Sequence, residues 1–289
     1  MANMSVSKPQ SNFKVQGQNL ILYVVLSIGS VIVAVPMYWA VAASFMTRAE
    51  AIATRWVPAQ LQAQNYIEAW NEANFSQFFV NSVMITLITI VGLIVFSVLA
   101  AYAFARMNFF GRDIIFTTLI ATLFIPEMVQ LLPNFLLVTW LGRIGPIPWI
   151  DNWPALTIPF MGNIFSIFLL RQFFAQIPND LFDAATIDGA GHLQFLLRIV
   201  VPLSRAALMT VIMLTFIGSW NALSWPILVT NSDTWRPISV GLANFLDDEN
   251  QRVHLQMAGA VITMVPILLL YFLTQKQFTE GIAQSGLKG

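Results

Sequence analysis

The feature that leaves this chain the fewest choices is a set of six long runs, apolar and almost free of charge, at about 20–46, 78–105, 114–140, 154–175, 204–230 and 257–277. A helix needs roughly 20 mostly apolar residues to cross the hydrocarbon core of a bilayer, and each run supplies them. Charged residues make up 10% of the 289 and hydrophobic residues 57%, against about 25% charged in a soluble domain. The solvent for most of these side chains is therefore lipid. In lipid the backbone must satisfy its own hydrogen bonds, which admits helices or closed barrels, and runs this long without period-two alternation are helical. The expected fold class is an all-α membrane protein with six transmembrane helices.

The first run follows Lys8 and Lys14, and Ala40, Val41 and Ala42 have the small-residue look of a cleavage site. The run is longer than the roughly 7–15 residues of a signal-peptide core, so it reads as a retained helix. An even number of spans puts both termini on one side. If that side is the cytoplasm, nine of the 14 basic residues lie inside (Lys8, Lys14, Arg106, Arg112, Arg171, Arg198, Arg205, Lys276 and Lys288) and five outside (Arg48, Arg55, Arg143, Arg236 and Arg252), the bias of the positive-inside rule. The expected organisation is then a cytoplasmic tail 1–19, a six-helix domain 20–277 and a second cytoplasmic tail 278–289. External loops run over 47–77 and 231–256, and a cytoplasmic loop over 176–203. No internal repeat is visible.

Composition also excludes functions. The formal net charge is zero, so there is no global basic footprint for nucleic acid. With no cysteine and only His192 and His254, thiolate chemistry and His- or Cys-based metal sites have no material. A membrane-embedded enzyme would need a nucleophile with its base, or a metal set, and the spans carry neither His nor Cys. A proton-coupled carrier usually needs several titratable groups inside the membrane, and only Glu127 is available. No phosphate-binding loop occurs, so any nucleotide energy must come from another chain.

The cytoplasmic loop is itself patterned. Pro178 precedes a helix start marked by Asn179 or Asp180, with Asp183 expected in the first turn, where the helix dipole favours a carboxylate. Ala184 and Ala185 propagate the helix. Asp188 and Gly189 break it, because glycine reaches left-handed dihedrals without steric cost. A second short helix is expected from Ala190 to Ile199, ended by Pro202, and Leu193, Leu196 and Leu197 sit at helical spacing as a face for a partner or for neighbouring spans.

In these residues the chain resembles the permeases of binding-protein-dependent ABC importers. Their hallmark is Glu-Ala-Ala, three residues, Gly, nine residues, Ile, one residue, Leu-Pro; here it reads Asp183-Ala184-Ala185, Gly189, Ile199, Val201-Pro202, with Asp for Glu and Val for Leu. Asn65-Tyr66, Phe78 to Ser82, Ala100 to Arg106, Phe216 to Asn221 with Pro226, and Pro237 to Leu242 resemble the carbohydrate branch, nearest the second, six-helix permease of maltose-type systems. The resemblance implies a type I importer permease, non-catalytic and without a cofactor of its own, whose loop docks on a cytoplasmic ATPase that holds ATP and Mg. The docking residues it implies are Asp183, Ala184, Ala185, Asp188, Gly189, His192, Ile199 and Pro202. It also implies a second permease subunit, two ATPase subunits and an external solute-binding protein, in an inner membrane. The ending from Gly281 to Gly289 resembles the family's Gly-rich tail, which reaches between the ATPase subunits. Di- or oligosaccharide, polyol and glycerol-phosphate importers look alike at this level.

Three residues are candidates for the substrate pathway. Glu127, just after Pro126, either lines a cavity or sits near the outer headgroups, since an unpaired carboxylate in lipid is costly. Trp220 suits helix packing better than sugar stacking, while Asn221 is open between a substrate contact and an interhelical bond. His192 is expected to face solvent or a partner. The acids Asp247, Asp248 and Glu249 lack the 12-residue calcium-loop pattern and read as a solvated outer loop.

Overall fold

The computed structural model describes residues 13–245 and 252–286, with side chains over 20–245 and 252–275; Asp247, Asp248 and Glu249 and the end of the tail fall outside it. Every regular element among the described residues is a helix.

The first span is α1 (Phe13–Ser44). The outer segment after it is ordered by polar capping. α2 (Arg48–Ile52) starts on a capping box in which Thr47 Oγ1 accepts from the Glu50 N–H and Glu50 accepts from the Thr47 N–H at 3.0 Å. The backbone N–H groups of Thr47 and Ala59, and the Thr47 hydroxyl, hold the Glu50 carboxyl below its usual pKa. α3 (Gln64–Glu72) is clasped to the end of α1 by Asn65, whose Nδ2 donates to the carbonyls of Ser44 and Met46, both at 2.9 Å.

The second span, α4 (Phe75–Arg106), is the spine of the bundle. In lipid, helices associate through close packing rather than through the hydrophobic effect, and α4 offers small residues for it. Ser97 and Ala101, four apart on one face, are fully buried.

The third apolar run does not form one straight helix. α5 (Arg112–Ala121) and a 3₁₀ turn, Thr122–Phe124, meet α6 (Glu127–Ile144) at 109°. Pro126 disfavours the helical region for the residue before it, and Ile125 is accordingly extended, at φ −82° and ψ 118°. The fourth run is α7 (Trp153–Thr157), a 3₁₀ turn, Ile158–Phe160, and α8 (Ile164–Ala175). Asn163 restarts the helix by accepting from the Ser166 N–H at 2.8 Å.

The loop expected to be cytoplasmic, 176–203, contains α9 (Asn179–Ile187), α10 (His192–Phe195), a π turn, Leu196–Val200, and α11 (Val201–Leu203). An 80° bend at Ser204 leads into α12 (Arg205–Trp220). The expected fifth span, 204–230, is thus cut at Trp220 and resumes as α13 (Ser224–Val229). Pro226 explains part of this break, because it cannot bond the carbonyl four residues earlier; that carbonyl, of Ala222, accepts instead from Ser239 Oγ at 2.5 Å. Ser239 belongs to α14 (Ile238–Ala243), and α15 (Val253–Gly286) closes the chain. Four helical stretches are individually long and apolar enough to cross a membrane, and with each bent pair taken as one span there are six.

The buried side chains form separate clusters along the bundle. One cluster joins α4, α8 and α12 to the loop 176–203. Another gathers α3, the start of α4, Trp220 and the start of α15. Ile85, Val138, Leu156 and Trp225 belong to a third, between these helices and α6.

Candidate functional site

Two features stand out for function: a cavity inside the bundle and the helical loop 176–203 at one end of it.

The cavity has a volume of about 510 Å³ and is walled by α4, the start of α6, the α7–α8 break and the α12–α13 break. Interrupted helices at membrane depth are tolerated where they line a watery cavity or are covered by protein, and here three interruptions converge on one space. Glu127 lies in the wall as the first residue of α6, where free backbone N–H groups favour a negative charge. Asn221 also lines it, and its Nδ2 is held by the Ile217 carbonyl at 3.0 Å. Trp220 does not line it. The indole is 2% exposed, stacks on Phe216 at 5.4 Å, meets Phe79 edge-on at 5.6 Å, and donates from Nε1 to the Thr263 carbonyl at 3.1 Å. The structure places this candidate among the packed helices and not in the cavity wall. The exposed aromatic faces in the wall are Phe160 and Phe165.

Other polar wall residues are missing from the sequence reading. Thr89 on α4 is 2% exposed and its hydroxyl has no hydrogen-bond partner among the described residues. Ser219 pairs with Thr86 at 3.2 Å, while Ser166 Oγ donates to Asn163 Oδ1 at 2.9 Å. A signal existed in the threonines at 86 and 89, one helical turn apart inside a charge-free span, and in the Gly162-Asn163 interruption of the fourth run.

The loop 176–203 is built on its glycine. Gly189 has φ +82°, and around it the Ala190 N–H donates to the Ala185 carbonyl at 2.8 Å and the Gly189 N–H to the Thr186 carbonyl at 3.0 Å. This pair of bonds is the Schellman ending of a helix, as Asp188 and Gly189 led us to expect. Two details of the expectation are corrected. The helix begins at Asn179, so Asp180 occupies the first turn and Asp183 stands one turn further on, exposed. Pro202 does not end the second helix; it lies inside α11, and the preceding backbone widens into a π turn, with the Val201 N–H reaching back to the Leu196 carbonyl. A proline removes an intrahelical bond, and a π turn is one way the chain accommodates that loss.

The loop has an inner and an outer face. Ala185, Phe195, Leu196 and Val200 are buried against the spans. Leu193 and Leu197 point outward, 61% and 57% exposed, with Ile187 at 86%. The expected triad of leucines is therefore divided, with Leu196 inside. Ala184 and Asp188 are exposed and Ile199 is half-buried. His192 is surface-exposed but held, with Nδ1 2.8 Å from the Tyr102 hydroxyl and its ring stacked on Phe182 at 5.1 Å.

Arg106, the last residue of α4, is the other anchor. Its Nε and Nη2 donate to the Phe174 carbonyl at 3.0 and 2.7 Å, Nη2 also to the Ile177 carbonyl, and Nη1 to Asn179 Oδ1 at 2.6 Å. One guanidinium thus caps the end of α8 and holds the start of α9.

A bundle of interrupted spans around a cavity, with a two-helix loop latched to one end, is the architecture of a membrane permease. The sequence profile of binding-protein-dependent transport system inner membrane components matches residues 93–284, and the chain belongs to that family. It is 31% identical over 280 residues to the sn-glycerol-3-phosphate transport system permease protein UgpE of Brucella abortus, covering 92% of this chain and 96% of that one. It is 30% identical over 269 residues to the diacetylchitobiose uptake system permease protein NgcG of Streptomyces coelicolor, covering 91% and 87%. Among solved structures, a bacterial ABC transporter involved in the import of the acidic polysaccharide alginate superposes with a TM-score of 0.79 at 24% identity, over 94% of this chain and 100% of the other. A bacterial alginate ABC transporter in complex with its alginate pentasaccharide-bound periplasmic protein matches with a TM-score of 0.64 at 15% identity, over 93% and 99%.

Proposed function

We propose that this chain forms half of the translocation pathway of an ATP-binding cassette importer for a carbohydrate. In this reading a second permease completes the cavity, an external solute-binding protein delivers the substrate, and two ATPase subunits dock on residues 176–203. The chain itself carries no catalysis. Both termini and the docking loop face the cytoplasm, which the distribution of basic residues supports.

The observation that carries the reading is the two-sided docking loop. Its inner face is continuous with the buried core of α4, α8 and α12, while its outer face offers Ile187, Leu193 and Leu197 beside Asp183 and Arg198. Exposed apolar side chains of this size on a polar loop suit a protein partner. Movement of that partner would be transmitted through packed side chains to the spans that wall the cavity. ATP would drive the switch only through its differential affinity for the two states.

The test uses the complex with its ATPase and second permease. Leu193→Asp combined with Leu197→Asp, and separately Asp183→Lys, should reduce co-purification of the ATPase and binding-protein-stimulated ATP hydrolysis at matched levels of inserted protein. Normal values for both variants would remove the docking role. Because the chain lacks cysteine, His192→Cys reports topology directly, and its labelling by an impermeant reagent in intact cells would reverse the orientation. A second substrate reading, a polyol or glycerol phosphate carried by the same machine, is favoured by the UgpE relatives.

A further inference from the structure

The charge of the cavity wall separates those substrate classes. Among the described residues that line it there is one ionisable side chain, Glu127, and no lysine, arginine or histidine. The rest of the polar wall is neutral: hydroxyls from Thr89, Thr215 and Ser219 and amides from Asn163 and Asn221. We infer that this half of the pathway selects an uncharged polyhydroxylated substrate, with Glu127 both accepting hydroxyl hydrogen bonds and rejecting anions. The inference rests on the importer reading above and narrows it.

Three observations lead there. First, a site built for a phosphate or a uronate places guanidinium, ammonium or several backbone N–H groups at the ligand. Here Glu127 is itself the first residue of α6, so its negative charge offsets the partial positive charge that the start of this helix presents to the cavity. Second, in a partly desolvated space a lone carboxylate repels an anion more strongly than it would in bulk water. Third, Thr89 is buried in the wall with a hydroxyl that bonds nothing among the described residues. A buried polar group without a partner is costly, and a small shift of the wall that admits a substrate hydroxyl would satisfy it. Carboxylate and hydroxyl groups around the exposed rings of Phe160 and Phe165 form a wall that complements a pyranose, which has hydroxyls at its rim and apolar C–H faces. The relatives named for sn-glycerol-3-phosphate and the solved alginate importers concern anions. The described wall of this chain offers such anions a carboxylate and no basic side chain.

The experiment has two arms in the complete complex. The first reads the potential in the cavity without needing the natural substrate. Ala222, in the wall, is replaced by cysteine, the chain's sole thiol, and modified with thiosulfonates bearing either a trimethylammonium or a sulfonate group. Relative to a free thiol, the cationic reagent should be favoured by about tenfold at low salt. That preference should disappear in Glu127→Gln and persist in Glu127→Asp. The second arm measures ATP hydrolysis stimulated through the binding protein by neutral di- and oligosaccharides, by sn-glycerol-3-phosphate and by oligouronates. Neutral saccharides should stimulate the wild type, anions should not, and Glu127→Gln should narrow the gap at least fivefold when anion-loaded binding protein is supplied. A reagent ratio equal to that of a free thiol, or one unchanged by Glu127→Gln, overturns the role of Glu127. Stimulation by sn-glycerol-3-phosphate or oligouronates equal to that by neutral saccharides overturns the selectivity while leaving the importer reading standing. Failure of every sugar and anion to stimulate removes the carbohydrate reading itself, whatever the reagent ratio.

Discussion

Arg106 offers the most direct test of how the loop 176–203 is fastened. Its guanidinium serves three acceptors, the carbonyls of Phe174 and Ile177 and the side chain of Asn179. Charge-assisted hydrogen bonds contribute about 1.5–3 kcal/mol each, but Arg106 is only half-buried, so roughly 1 kcal/mol per acceptor, about 3 kcal/mol in all, is the appropriate scale. Arg106→Ala should therefore leave the spans inserted while loosening α9. Since 1.4 kcal/mol is a factor of ten, amide hydrogen exchange within Asn179–Ile187 should accelerate by about 100-fold. Exchange in α3, remote from the change, should stay constant. Arg106→Lys keeps the charge near the end of α8 but loses the planar fork that reaches three acceptors, so it should fall between wild type and Ala. Combining Arg106→Ala with Asn179→Ala should show a coupling of about 1 kcal/mol. Exchange in α9 unchanged within twofold in Arg106→Ala, or identical in Ala and Lys variants, would refute the latch.

Gly189→Val should lower ATPase co-purification and uptake, because φ is +82° and a β-branched residue there costs about 1–3 kcal/mol; Gly189→Asn, which tolerates that region, should stay near wild type in both assays. Nothing among the described residues lies within 4 Å of a Cβ at this position, so a larger loss for Val than its thermal destabilisation explains would locate the clash on the partner. Tyr102→Phe removes the 2.8 Å bond to His192 but not the Phe182 stack, and hydrogen exchange around residue 192 should quicken by about five- to tenfold, for a loss near 1 kcal/mol. Asp151 accepts from the Asn231 and Ser232 N–H groups, both at 3.0 Å; burial works to raise its pKa, but bonds from Ser232 and Asn231 outweigh it and the pKa lies below the usual 3.8. A depressed carboxyl stabilises the fold above its unfolded pKa and loses that effect as pH falls through the folded value, so protease protection of residues 229–236 should weaken below about pH 4 in wild type, and Asp151→Asn should show less protection at neutral pH and no further acid step. Trp220→Phe should lower the detergent-solubilised melting temperature by about 2–4 °C through the lost Nε1 bond and leave transport by the folded protein intact; a selective loss of transport at unchanged melting would return Trp220 to the pathway.

The apolar runs that became α4 and α15 were legible because helix and span share one length and nothing interrupts them. The third and fifth runs were read as single spans from the same signal, and hydropathy cannot register a bend. Pro126 and Pro226 were visible in the sequence, but whether a proline kinks a helix or divides it depends on what can satisfy the freed carbonyl, and the partner of the Ala222 carbonyl is Ser239, 17 residues on. The helix-turn-helix of the loop 176–203 was legible in spacing and turn chemistry, since Gly189 must adopt what only a glycine adopts cheaply. Its corrections are local in origin: Asn179 rather than a later residue opened the helix, moving Asp183 out of the first turn. The anchors were not legible at all, because Arg106 and Tyr102 sit more than 65 residues from Phe174 and His192 and pair with them only after α4 and α8 have packed. Thr89 was lost for the opposite reason, as one small polar residue in an apolar run carries almost no signal until the space beside it is known.

The first helix carries two regimes of constraint along one rod. From Leu20 to Tyr38 every side chain is exposed, whereas Ala42, Ala43 and Ser44 are buried against Met46, Ala51 and the start of α15. Wherever lipid covers the exposed stretch, Leu is not distinguished from Ile, Val or Phe, so mutation there is filtered by oiliness alone and lineages can drift freely within that alphabet. At Ala42 and Ala43 the filter becomes steric, and one added methylene meets a packed neighbour. Divergence in such a helix should therefore be graded, fast at one end and nearly frozen at the other, without any change in its apparent hydrophobicity.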